Sequence, residues 1–193
     1  MATSQKNKDT TVYQIKISLK SIRPPIWRRV QVLSSTTLAE LHRIIQYSMG
    51  WFNCHLHQFD IDRHEYGQPA PEYDFYVEDE TKFKLSQVIK GEKFKFFYTY
   101  DFGDDWRHEI LIEKILARDP DVNYPICIKG KRACPPEDCG GPFGYPDFLE
   151  AIQDSSHPEH ENMLEWIGDD FDPEAFDLAE ANELLARRYR EES

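Results

Sequence analysis

The stretch "YTYDFGDDWRHEI", from Tyr98 to Ile110, places Asp101, Asp104, Asp105 and His108 within eight positions, with Trp106 among them. Clustered carboxylates beside an imidazole can hold a hard divalent cation such as Mg²⁺ and activate water for phosphodiester cleavage. The same residues also suit a hairpin turn, in which Asp side chains accept hydrogen bonds from turn amides and Gly103 takes a positive φ. The spacing matches no calcium-binding loop and no known catalytic motif, so the hairpin is the simpler expectation.

A second set is His55 and His57, two apart in "HLHQFDI". On a strand they would share a face with Phe59 and Ile61, and His64, His108, Cys134 or Cys139 could complete a zinc site. The chain has no C-x-x-C and no H-E-x-x-H. Hydrogen-bonded, partly buried imidazoles are therefore expected, with no metal and no cofactor. Four cysteines without a secretory signal read as reduced thiols. "CGGPFGY" has glycines that expose backbone amides to a phosphate, but it lacks the Gly-Lys-Ser/Thr ending and Pro142 removes a donor. It reads as a sharp turn joining sheet to helices.

Lys82, Lys84, Lys90, Lys93 and Lys95 lie near Phe94, Phe97 and Tyr98, a composition suited to stacking single-stranded nucleic acid beside a basic rim. Net charge argues against it. The chain carries -12, and from Asp147 onward 15 acidic residues face 3 basic ones, so the whole imbalance sits in the last quarter. Such a segment repels phosphates, and the balanced remainder creates no field to attract them.

The elements that position these residues follow from periodicity. "TVYQIKISLK" alternates as a strand, and "IWRRVQVL" follows a Pro-Pro turn with Ile26, Arg28, Val30 and Val32 on one face. Thr37 and Glu40 form a capping box for a helix whose stripe is Leu38, Leu41, Ile44, Ile45 and Ser48, ending at Gly50. "HLHQFDI" is a strand and Glu65 to Glu72 a loop. A short helix at Phe83 to Ile89 precedes the two strands around the opening turn, where Phe96, Tyr98 and Tyr100 share one face, as do Trp106, His108, Ile110 and Ile112. "CIKGKRACPPEDCGGPFGYP" reads as a loop, and helices follow it, with Pro158 and the Asp172–Pro173 pair at helix starts and Asp177 with Glu180 as a cap.

These assignments predict a single α+β domain with a mixed, largely antiparallel sheet and one long helix after the first hairpin. Residues 1–10 are expected to be disordered, 11–146 to form the sheet-containing body, and 147–193 an acidic helical segment packed on it. At 193 residues, with 40% hydrophobic and 13% aromatic content, the chain can bury a substantial core. No apolar run approaches the roughly 18 residues of a membrane span, and the start of the chain lacks a signal peptide's apolar segment, which leads to the expectation of a cytoplasmic protein.

"HLHQF", "YTYDFGDDWRHEI", "RACPPEDCGGPFGY" and "HPEHENMLEWIGDDFDPEAFD", in this order, resemble the plasmid pRiA4b ORF-three-like family, over about Tyr13 to Leu185. Some members are labelled passenger proteins of insertion elements. The resemblance implies no settled activity and supplies no catalytic residues. The resolvase label carried by some members finds no support here, because there is no serine nucleophile among arginines and no basic helix-turn-helix.

The leading expectation is a non-enzymatic interaction module, with a protein as partner and a working surface joining Asp101, Asp104, Asp105, Trp106 and His108 to Arg132, Glu137, Asp138 and Tyr145. The alternatives are a metal-dependent hydrolase or nuclease using Asp101, Asp104, Asp105 and His108, and single-stranded nucleic-acid binding.

Overall fold

The computed structural model describes residues 11–69, 76–168 and 171–191, and side chains as far as 187. The N-terminal ten residues expected to be disordered, and part of the Glu65–Glu72 loop, lie outside the described residues.

The first hairpin forms as its alternation predicts. Strands β1 (Thr11–Leu19) and β2 (Trp27–Leu33) pair antiparallel, and Ile26, Arg28, Val30 and Val32 are all buried. Helix α1 (Leu38–Met49) is closed at its start by the capping box, Thr37 Oγ1 accepting from the Glu40 amide at 3.1 Å and Glu40 Oε2 accepting from the Thr37 amide at 2.7 Å. It ends at Gly50, whose φ of 100° only glycine adopts without penalty.

A second hairpin, β3 (His57–Ile61) and β4 (His64–Gly67), occupies part of the expected loop. Its turn residues, Asp62 and Arg63, both have positive φ, which matches the twist of the flanking strands. Asp-Arg is a weaker turn signal than Asn-Gly or Asp-Gly, and so the strand is hidden in the sequence. The short β5 (Glu78–Asp79) pairs with β4 in parallel. After a single 3-10 turn at Glu80–Lys82 and a one-turn helix α2 (Leu85–Val88) come β6 (Lys95–Tyr100) and the twelve-residue β7 (Trp106–Ala117), the hairpin expected around the opening turn.

The loop predicted from Cys127 onward is also partly regular. Strand β8 (Ile126–Lys131) extends the sheet beside β2, and helix α3 (Gly141–Gln153) begins within "GGPFGYP". Backbone pairing to an edge strand overrides the low strand propensity of "CIKGK", a preference that propensity alone does not capture. Helices α4 (His160–Ile167) and α5 (Leu178–Glu191) follow. Helix α5 starts at the Asp177 cap rather than at Asp172–Pro173, which form only a turn.

Among the described residues the result is one eight-stranded sheet in the order β5-β4-β3-β6-β7-β1-β2-β8, antiparallel except at β4–β5. An antiparallel sheet can be apolar on one face and wet on the other. Here α1, α3 and α5 supply Leu41, Ile45, Phe148 and Leu185 to the core on one face. On the other, Arg29 grips Glu113 with two bonds of 2.5 and 2.7 Å, and the Arg107 guanidinium lies 4.2 Å over the Phe97 ring. That contact, with Tyr98 fully buried and Phe94 packed against the core, removes the exposed aromatic platform expected for nucleic acid.

Candidate functional site

The β6–β7 turn lies against the segment after α1 and the loop before α3, at one end of the sheet. Its anchor is Asp101. The Asp101 amide donates to the Leu56 carbonyl (2.9 Å), its carbonyl accepts from the Asp105 amide (2.7 Å), and its Oδ1 accepts from the Gly103 amide (2.9 Å). The positive φ expected at Gly103 falls instead on Asp101 (56°) and Asp105 (53°). Aspartate tolerates this region when its carboxylate bonds the nearby backbone.

The turn is pinned from the other side by Gly141. A Cβ at this position would stand 2.2 Å from the Asp104 carbonyl oxygen, and φ is +68°, so only glycine lets the start of α3 approach. The opposite wall is Trp51. Its indole N–H donates to the Pro135 carbonyl at 3.0 Å, while its ring packs 5.0 Å from Tyr100 and 5.2 Å from His108.

Tyr100 organises the polar centre. Its hydroxyl donates to Glu137 and accepts from the Cys54 and His55 amides at 2.9 and 3.3 Å, and the other Glu137 oxygen accepts from the Phe52 amide at 3.2 Å. Burial and the adjacent Glu137 raise the Tyr100 pKa well above that of an ordinary tyrosine, so it remains a donor. Fixed by these bonds, His55 faces two carboxylates. Nδ1 is 3.7 Å from Asp101 Oδ2, and Nε2 is 3.3 Å from Asp138 Oδ1. Among the described residues, this is the group of three or more His, Cys, Asp or Glu side chains whose donor atoms converge, all within 4.8 Å of one another.

The residues named from sequence divide accordingly. Asp101 and Asp138 come together with His55, and Glu137 supports them. Asp105 is exposed, and Asp104 is half-buried behind the turn. Trp106, His108, Arg132 and Tyr145 were expected at a working surface, and all four are buried instead. The inward faces of β7 and α3 carry Trp106, His108 and Tyr145 into the core. Arg132 is held by the Pro24 carbonyl (3.1 Å) and Glu174 (2.6 Å). Because His108 is in the core, the cluster of Asp101, Asp104, Asp105 and His108 proposed for hydrolysis does not assemble.

The candidate zinc ligands also separate. His55 precedes β3 and does not share its face with His57, whose Nε2 bonds Glu80 at 2.8 Å and whose ring stacks on His42 at 3.4 Å. Burial raises the pKa of both Cys134 and Cys139, the latter to about 12, so both remain neutral thiols.

Sequence reasoning missed His42 and its surroundings. The Gln46 side-chain Nε2 donates to the Tyr98 hydroxyl (3.0 Å), which donates to His42 Nδ1 (2.7 Å). His42 Nε2 donates to Asn53 Oδ1 (2.7 Å), and the Asn53 amide donates to Gln46 Oε1 (3.1 Å), closing a ring. The signal available was polar His42 and Gln46, four apart on the inward stripe of α1.

The fold and this site define an α+β protein with one mixed sheet, helices over one face, and a histidine–carboxylate centre at the tip of the β6–β7 hairpin. Residues 11–180 match the family model described as plasmid pRiA4b ORF-3-like protein, and the chain belongs to that family. It is 36% identical over 177 residues to the uncharacterised protein y4hQ of Sinorhizobium fredii, covering 91% of each chain. The crystal structure of MM3350 from Methanosarcina mazei Go1, a protein of unknown function, is similar at a TM-score of 0.82 and 42% identity, covering 89% of this chain and 98% of that one. No helix among the described residues is long and apolar enough to cross a membrane.

Proposed function

We propose that the protein is a non-enzymatic interaction module that docks a protein segment at this end of the sheet. The observation that carries this reading is the placement of its exposed apolar side chains. Of the eight large ones among the described residues, Phe52, Leu56, Phe102, Phe143 and Trp166 belong to the segments around the histidine–carboxylate centre. Phe143 is 91% exposed and Phe52 79%. Isolated exposed apolar residues are ordinary, whereas a gathered set around a polar centre is the composition of an interface, in which aromatic anchors supply most of the binding energy.

Phe52 and Trp166 line one cleft of about 510 Å³ together with Glu137 and Asp138. Two carboxylates and two aromatic side chains in one lining suit a segment carrying an arginine or lysine beside apolar residues. A displayed library of random peptides, selected on the purified full-length protein, tests this. Selected peptides should share a basic residue next to an aliphatic or aromatic one, and lose at least tenfold in affinity for Trp166→Ala and for Glu137→Lys. Selections that bind both variants as tightly as the parent would refute the site. Hydrolysis of nucleic acid or phosphoesters, abolished by Asp101→Asn, would refute the non-enzymatic part.

A further inference from the structure

We infer that His55, Asp101 and Asp138 form a binding site for one divalent transition-metal ion, such as Zn²⁺ or Mn²⁺, at the tip of the β6–β7 hairpin. This inference invokes no partner and stands apart from the docking reading.

Three features point to an ion. The donor atoms of the three side chains lie within 4.8 Å of one another, close enough to share one ion at the roughly 2.0 to 2.6 Å typical of metal ligands once Asp101, which faces Nδ1, turns toward the Nε2 side of the ring. His55 Nε2 is closed off from solvent and makes no hydrogen bond, although Asp138 Oδ1 stands 3.3 Å away out of alignment. A buried ring nitrogen without a hydrogen bond is open to a metal, and Asp138 beside it is placed to supply a second ligand. Among the described residues, the ionic contact of both carboxylates is His55 itself, with no lysine or arginine to neutralise them.

The ligands are also held in place from behind. The His55 amide is bonded by Tyr100, which is fixed in turn by Glu137, and Asp101 is bonded through its amide, carbonyl and Oδ1, leaving Oδ2 to face the ring. Metal sites depend on such supporting bonds to fix their first ligands. An imidazole nitrogen with two carboxylates favours borderline transition ions over Ca²⁺ or Mg²⁺, which prefer all-oxygen sets. With three protein ligands, and Asp138 71% exposed, the ion would keep coordination positions open to water.

Chelator-treated full-length protein titrated calorimetrically with ZnCl₂ or MnCl₂ should bind one ion per chain, at least tenfold more tightly than CaCl₂. His55→Gln and Asp138→Asn should each weaken binding at least tenfold. Asp138 is exposed, so its variant tests the site without threatening the fold, and His57→Gln should leave the affinity unchanged. The assignment is overturned if no ion binds, if Ca²⁺ binds as well as Zn²⁺, or if Asp138→Asn binds like the parent. Loss of metal binding with peptide docking intact, or the reverse, would separate this inference from the proposed function.

Discussion

Replacing His108 with glutamine should flatten the acid sensitivity of the fold. His108 is completely buried between Trp51 and Tyr98, its Nδ1–H donating to the Trp106 carbonyl at 2.9 Å while Nε2 has no partner. Burial pushes its pKa down from 6.5 to about 4. Because the folded value lies below the unfolded one, the unfolded chain takes up this proton first as pH falls. The stability of the neutral ring is therefore whole above pH 6.5 and is lost as pH drops toward 4. A shift of this size costs the fold about 2 kcal/mol between pH 7 and pH 5, and about 3 kcal/mol by pH 4. With a urea dependence of about 2 kcal/mol per molar, the first loss lowers the unfolding midpoint by about 1 M.

Urea unfolding followed by tryptophan fluorescence at pH 7 and pH 5 reads the effect. The midpoint of His108→Gln should move about 1 M less than that of the parent between the two pH values, whatever its stability at pH 7. Carboxylates such as Glu113, held low by Arg29, titrate alike in both proteins and cancel in the comparison. The reasoning fails if parent and variant lose equal stability over this range.

Three further outcomes test how the site is built. Gly141→Ala should destabilise the protein by about 3 kcal/mol, because the methyl group meets the Asp104 carbonyl and φ is positive, and the loss would be read in urea or thermal unfolding. Tyr98→Phe leaves His42 Nδ1 and Gln46 Nε2 buried without their shared partner, and should cost about 2 to 4 kcal/mol by the same measurement. Thr37→Ala removes the capping box of α1 and should cost about 1 kcal/mol, a fall of about 2 to 4 °C in Tm by calorimetry.

Sequence alone determined the elements whose signals are local. Alternation marked β1, β2, β6 and β7, and one capping box with one left-handed glycine bounded α1. The strand face carrying Trp106, His108, Ile110 and Ile112 was legible for the same reason, since side chains alternate with period two. Yet the chemistry of that face was misread. A polar residue in a mostly apolar row can be a surface ligand or a buried hydrogen-bonding group, and the row does not say which. Only the helices and the loop packed over the sheet decided that His108 and Tyr145 are interior.

Tertiary structure also chose the partners of Asp101. Its role in tying the turn involves residues four or fewer apart and could be read locally. His55 and Asp138 lie 46 and 37 positions away in sequence. Their approach depends on strand order in the sheet, on Trp51 reaching Pro135, and on Gly141 admitting the turn. Each of these is a long-range contact between segments that periodicity describes one at a time, so the histidine–carboxylate centre exists only once the sheet has brought them together.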